Sequence, residues 1–416
     1  MPPKPPTPRK LSLPPPPAGP PPPPPPGVRL AGIEEIELFV EKLVAGGEGF
    51  SRWDGVPIFV PRSVPGDRLR ARLVERRPDY GRAEIVEILS PGPGRRPDPV
   101  PELSLWGGCD LQHIADGLQS RLKADAVKET LERMGKVDLS ALGEIELITG
   151  DPWHYRLRTQ LHTGVVDGAL RVGYHARGTN DLLPVYRCPL LVPELESLLP
   201  TLATRLGDAP PRRLDLAAGD TGVSLAPLIP ELPHGEVSLT VGDLTYAYDA
   251  RCFFQGHRGL LPRLVERTVG PWTGGEAHDL YCGVGLFALA LARRYGRVVG
   301  VEGERIAARY ARTNARRNHL TNVEIEAQAL ESWIGKLPQG IARVIVDPPR
   351  AGLSPAVRRV IVERRPERLT YVSCHPAALA RDLRQLAETY TIESITLIDM
   401  FPQTGHMETV VQLVLR

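Results

Sequence analysis

Cysteine is scarce in this chain, five among 416 residues. So small and odd a set makes no disulfide framework and fits a reducing compartment, where a thiol stays free for catalysis or metal. Net charge is nearly missing as well: 51 Lys and Arg against 49 Asp and Glu leave +2. The charge of the whole molecule therefore argues for no nucleic-acid partner, and any basic surface has to be local. No run of about 18 apolar residues occurs, which excludes a helix that spans a membrane. The N-terminus has basic residues but no apolar secretory core. These gaps together predict a cytoplasmic monomer with no membrane partner.

Proline is plentiful, 44 residues, many crowded at the start. A residue that fixes φ and lacks an N–H forces polyproline II or disorder, so 1–27 is expected to be a proline-rich disordered tail. A small β unit is expected over 28–90. There Ile36, Leu38 and Val40 alternate with Glu35, Glu37 and Glu41, and Gly46-Gly47 and Asp54-Gly55 mark turns. Arg68, Arg70 and Arg72 alternate with Leu69, Ala71 and Leu73, which puts three guanidiniums on one strand face. A solvated face and a phosphate-binding face both fit that pattern. Arg76, Arg77 and Arg82 nearby favour the phosphate-binding one.

A Pro/Gly linker at 91–97 opens a mixed central α+β unit over 91–245. In it Leu118, Leu122, Ala126, Leu131 and Met134 predict an amphipathic helix ending at Gly135, and Tyr155 to Val166 alternates like a strand. From 246 to 416, short apolar runs alternate with helical stretches, the pattern of a mainly parallel sheet with helices on both faces. The expected fold class is thus α/β, a Rossmann-like unit preceded by a β unit and a mixed unit. The last run, Thr409 to Leu415, is expected to close the sheet.

Asp279-Leu-Tyr-Cys-Gly283-Val-Gly285 follows an apolar run and precedes a helical one. Gly283 and Gly285 permit a tight turn and close approach of a ligand at a helix N-terminus. Glu302 ends the next apolar run, where a carboxylate can accept both ribose hydroxyls of an adenosine. The spacing alone admits NAD as well as S-adenosylmethionine. Ala288 in place of the third fingerprint glycine, and the lack of an evident pyrophosphate contact, favour the methyl donor.

Three clusters follow later strand-like runs: Asp347-Pro-Pro-Arg350, Ser373-Cys374-His375-Pro376 and Met400 to Glu408. Two prolines behind a buried strand make a rigid exit that holds Asp347 in place. Methylating a pyrimidine C5 needs a thiolate that adds to C6 and a base that then removes the C5 proton. Cys374 and Glu408, at successive strand ends, fit those roles. Each alone reads as a buried thiol or a solvated acid.

Together these stretches resemble the RNA uridine-C5 methyltransferase family: Phe254-Gln255, DLYCGVG, VEG at 301–303, DPPRAGL at 347–353, YVSCHPAALARDL at 371–383 and DMFPQTGHMETV at 399–410. The resemblance covers 28–416. It implies a class I methyltransferase domain over 246–416 and a TRAM domain, an OB-like barrel that grips RNA, over 28–90. It implies S-adenosylmethionine as cofactor, Cys374 as nucleophile and Glu408 as proton acceptor. It also implies Gln255, Tyr281, Glu302 and Asp347 as residues that hold the methyl donor. The implied partner is ribosomal or transfer RNA, 23S ribosomal RNA ahead of transfer RNA, with the target uridine flipped from a loop. Arg68, Arg70 and Arg72 are expected to contribute to RNA binding.

Many family members carry four cysteines for an iron–sulfur cluster. Here Cys109 and Cys188 match the setting, but Val100 and Trp106 stand at the other two positions that can be aligned. Two thiolates cannot hold a four-cysteine cluster, so none is expected, nor any other metal. Leu286 and His257 stand where many members have asparagine. Two rivals remain: an RNA cytidine-C5 methyltransferase, disfavoured by Arg350 where that chemistry puts its cysteine, and a non-catalytic RNA-binding protein that kept the fold.

Overall fold

The computed structural model describes residues 34–143, 145–207 and 210–416; the proline-rich stretch lies outside the described residues. Strand period governs the first part. Glu35–Phe39 buries Ile36 and Leu38 and turns its glutamates outward, and Arg68–Arg76 buries Leu69, Ala71 and Leu73. These two strands join Lys42–Leu43, Gly49–Trp53, Val56–Val60 and Gly81–Ser90 in a six-stranded sheet with a small core of its own. Gly46 and Gly47, at φ 102° and 88°, form the tight turn between Leu43 and Gly49.

Helix α1, Asp116–Gly135, follows, and Lys136 caps it in the left-handed conformation. Its buried Ala124, Val127 and Leu131 pack into the core of the C-terminal half. Met134, expected on the apolar face, is 51% exposed. A five-stranded sheet centred on Arg158–Val166 and a hairpin, Val237–Val241 with Leu244–Tyr248, complete the middle of the chain.

The largest sheet has eight strands. In chain order they are β1 (Glu146–Ile148), β2 (Gly274–Leu280), β3 (Tyr295–Glu302), β4 (Val323–Ala327), β5 (Arg343–Val346), β6 (Arg368–Ser373), β7 (Tyr390–Ile398) and β8 (Glu408–Leu415). They lie in the order β4-β3-β2-β5-β6-β8-β7-β1. Strands β2 to β6 are parallel, and Val344, Ile345 and Val346 of β5 are wholly buried, as a strand covered by helices on both faces requires. Helix α2 (Leu286–Leu291) follows β2, and helix α3 (Pro376–Leu386) follows β6.

Two features depart from expectation. β8 does not close the sheet at an edge; it runs antiparallel inside it, between β6 and β7. Both its faces are covered, which is why Val410, Val411 and Leu413 form a nearly continuous apolar run. The edge is taken instead by β1, three residues from the stretch read as the central unit, paired in parallel with β7.

Candidate active site

The carboxyl ends of the parallel strands converge on one edge of the sheet, where open α/β folds place ligands. β2 runs into Tyr281, Gly283 and Gly285, at φ 69°, 56° and 96°. Left-handed backbone is uncommon for a tyrosine and clusters at functional loops. The Gly283 N–H donates to Glu302 Oε2 at 2.8 Å and the Glu304 N–H to Glu302 Oε1 at 2.7 Å, so Glu302 is held at the end of β3 beside the loop. A Cβ at Gly283 would meet nothing within 4 Å, so the loop faces open space. Tyr281 lines a shallow hollow of about 650 Å³ with Pro349, Gly352 and Arg381.

Gln255 is buried and donates from Nε2 to Asp347 Oδ2 at 3.2 Å, while its Oε1 has no hydrogen-bond partner. Asp347 leaves the end of β5. In the antiparallel register of β6 and β8, Ser373 faces Thr409. Continuing that register one step past the end of β6 puts Cys374 beside Glu408, and the charge of Glu408 acts on the thiol. The nucleophile and base inferred from the sequence are therefore neighbours across two adjacent strands, although β8 enters from the other direction.

Electrostatics set their resting states. Burial first, then the charges of Glu408 and Asp347, push the Cys374 thiol up to about 11, with Arg350 opposing them. Burial, then the charge of Asp347, hold the Glu408 carboxyl well above the usual carboxylate range. Glu408 is 2% exposed and its Oε1 has no partner. Burial also raises Asp347, against the hydrogen bond from Gln255. A cavity of about 130 Å³ opens beside Cys374, lined also by Arg350, His406 and Lys123. That is a little less than the volume, about 150 Å³, of an apolar cavity that takes a benzene-sized ring, so one six-membered ring is the most it could hold.

The loop between β7 and β8 leads directly into Glu408 and is tied down from a distance. Gln119 of α1 donates to Gln403 Oε1 at 2.9 Å and accepts from the Gln403 N–H at 2.9 Å. Buried Lys123 of α1 donates to Asp399 Oδ1 at 2.5 Å and to the Phe401 carbonyl at 3.1 Å. The Tyr155 hydroxyl donates to the Pro402 carbonyl at 2.9 Å. His375 caps α3 through Nδ1, which accepts from the Ala378 N–H at 3.2 Å, consistent with a structural part.

Gln255 meets Asp347, Glu302 meets the glycine loop, and Cys374 meets Glu408. Arg68, Arg70 and Arg72 lie on the outer face of the N-terminal sheet. There Arg72 pairs with Glu35 at 3.3 Å, and Arg70 pairs with Glu35 at 3.9 Å and with Glu87. Sequence reasoning missed Asp279, a wholly buried acid at the end of β2 whose carboxyl is raised by burial and then by the charge of Asp347. Its signal was present: it opens the glycine motif. Gln119 and Lys123 left none, since their partners lie 284 and 276 residues away.

A parallel sheet with a glycine loop at its first strand end, an acid at its second, and a thiol under the charge of a nearby buried carboxyl define an S-adenosylmethionine-dependent methyltransferase. Comparison with known proteins agrees. The family described as tRNA (Uracil-5-)-methyltransferase matches residues 235–416. The 23S rRNA (uracil(1939)-C(5))-methyltransferase of Cronobacter sakazakii is 33% identical over 426 aligned positions, covering 91% of this chain and 96% of that protein. The Pyrococcus abyssi tRNA (uracil-54, C5)-methyltransferase, solved with S-adenosyl-L-homocysteine, has the same fold, with TM-score 0.71 and 24% identity over 91% of this chain and 100% of that one. The chain belongs to the RNA uracil-C5 methyltransferase family, which decides for uridine over cytidine.

Proposed function

We propose that this chain methylates C5 of a uridine in 23S ribosomal RNA through a covalent adduct on Cys374. The observation that carries the mechanism is the nearness of Cys374, just past the end of β6, to Glu408 at the start of the adjacent β8, whose charge raises the thiol. The RNA class follows the 33% identical relative, which acts on 23S rRNA and which the chain matches along nearly its whole length.

Cys374 gives up its thiol proton to solvent and adds as thiolate to C6, and the ring electrons move to C5, which becomes the nucleophile. S-adenosylmethionine supplies an electrophilic methyl whose bonding pair stays on the departing sulfur. Glu408, once its own resting proton has left to solvent, takes the C5 proton as a carboxylate, the C5–C6 double bond re-forms, and the Cys374–C6 bond breaks to return the thiolate. Gln255, Tyr281, Glu302 and Asp347 hold the methyl donor, with Gly283 and Gly285 giving it access. The unpartnered Gln255 Oε1 and the open space before Gly283 suit that task.

The residues do not fit an iron–sulfur cluster. Of the thiols such a cluster needs, Cys109 and Cys188 are the two at hand, and burial raises both, Cys109 to about 12. Iron content after anaerobic purification tests this; four irons per chain would overturn it.

The reaction is tested by tritium release from RNA labelled at uridine C5, with ribosomal and transfer RNA in separate tubes. Release from ribosomal RNA, lost in Cys374→Ala with RNA affinity kept, is expected. Release only from transfer RNA would overturn the substrate, and release unaffected by Cys374→Ala would overturn the mechanism.

A further inference from the structure

The cavity beside Cys374 is not built by the methyltransferase sheet alone. Val44, Ala45 and Gly46, from the turn of the N-terminal β unit, form one of its walls. That turn is packed against the loop that carries Glu408 with no side chain between them. A Cβ on Gly405 would lie 2.2 Å from the Gly46 carbonyl oxygen and 2.7 Å from the Gly47 nitrogen. A Cβ on Gly47 would lie 2.9 Å from the Gly405 Cα. The contact is therefore backbone against backbone, and glycine is required on both sides.

The turn is docked firmly. Lys42, two residues before Val44, pairs with Glu129 of α1. Leu43 joins Leu111 and Ile114 in a separate small core, with Leu118 and Leu122 of α1 packed against it. The Leu111 N–H donates to the Gln403 carbonyl at 3.0 Å, which ties that core back to the Glu408 loop.

We propose that the turn over residues 44–47 is a wall of the target-base pocket, and that Gly405 is a positioning residue that seats this wall against the Glu408 loop. The β unit then acts on the chemical step, by enclosing the flipped base over Cys374, and not only on RNA affinity. This rests on the pyrimidine-C5 reading of the site. Moving the wall by one methyl group enlarges or skews a space that holds one ring, and sub-ångström misplacement of reacting atoms is expensive.

The test compares four full-length proteins on the RNA that the wild type methylates: wild type, Gly405→Ala, Ala45→Leu and Gly55→Ala. Gly55 sits in another turn of the β unit at φ 77°, and a Cβ there would meet nothing within 4 Å, so it controls for backbone strain in that unit. Gly405→Ala is expected to lower kcat at least tenfold with RNA Kd changed less than threefold. Ala45→Leu, which fills the cavity from a turn and spares the Gly405 contact, is expected to lower kcat likewise. Gly55→Ala is expected to match wild type. Wild-type kcat in both Gly405→Ala and Ala45→Leu, with circular dichroism unchanged, would overturn the proposal. So would losses that appear wholly in Kd. If the wild type itself releases no tritium from uridine, the reaction assignment fails instead, so the two failures are told apart.

Discussion

Glu408→Gln is expected to make this protein more stable while stopping its turnover. The carboxyl is 2% exposed, one oxygen has no partner, and burial with the charge of Asp347 raises its pKa well above the ordinary range. An unfolded glutamate titrates near about 4.3. Below that pH both states hold the proton and the group costs nothing. Above it the unfolded chain gives up a proton that the folded chain keeps, so stability falls by about 1.4 kcal/mol per pH unit until the folded-state pKa is passed. The loss therefore grows with pH through the neutral range up to the folded-state pKa. An amide of the same shape does not titrate. After some loss for imperfect hydrogen bonding, the variant should be the more stable protein at pH 7.5. Urea denaturation of both proteins from pH 5 to 8 measures this: the gap should open as pH rises and shrink toward pH 5. The variant should also accumulate a methylated covalent RNA adduct on denaturing gels, since nothing removes the C5 proton. A gap that does not change with pH, or a variant less stable at pH 8, would refute the reasoning.

Alkylation of Cys374 by iodoacetamide should speed up about tenfold per pH unit from 7 to 10, because the thiol titrates near 11 and the other four cysteines are buried. Asp347→Asn removes one of the charges that raise it and should shift that profile to lower pH; mass spectrometry of the labelled site reads both. Lys123→Met leaves Asp399 charged, buried and unpaired, and should cost about 3–5 kcal/mol in urea denaturation, while Lys123→Met with Asp399→Leu should recover most of the loss. Replacing Arg68, Arg70 and Arg72 by Ser should flatten log Kd against log salt by about 1 rather than 3, because Glu35 and Glu87 already pair with two of them. An unchanged slope would remove that face from the RNA interface.

How much of this was legible in the sequence depended on distance along the chain. Gly283, Gly285 and Glu302 could be read because loop, helix and next strand follow one another within 24 residues of Asp279. Cys374 and Glu408 could be read as strand-end residues, and their chemistry suggested a pair. That they come near each other needed the adjacency of β6 and β8, which no local pattern encodes. The alternation at Arg68 to Arg72 predicted a strand face correctly, but not the glutamates that neighbouring strands set against it. Strand β1 was invisible because three residues carry no period. The Gly47–Gly405 contact was invisible because a glycine in a turn and a glycine kept free for a neighbour look the same in one sequence.

The three residues of β1 have a consequence for anyone who wishes to study the C-terminal half alone. Strand β7 offers a nine-residue edge, and β1 pairs with its last three residues, Thr396 to Ile398. An uncovered edge of that kind recruits strands from other molecules. A fragment beginning at 246 would bare that edge and also the apolar surface that α1 covers with Ala124, Val127 and Leu131. Such a fragment should precipitate at concentrations where the whole chain stays dissolved. The segments that supply α1 and β1 therefore serve as a solubility device for the catalytic sheet.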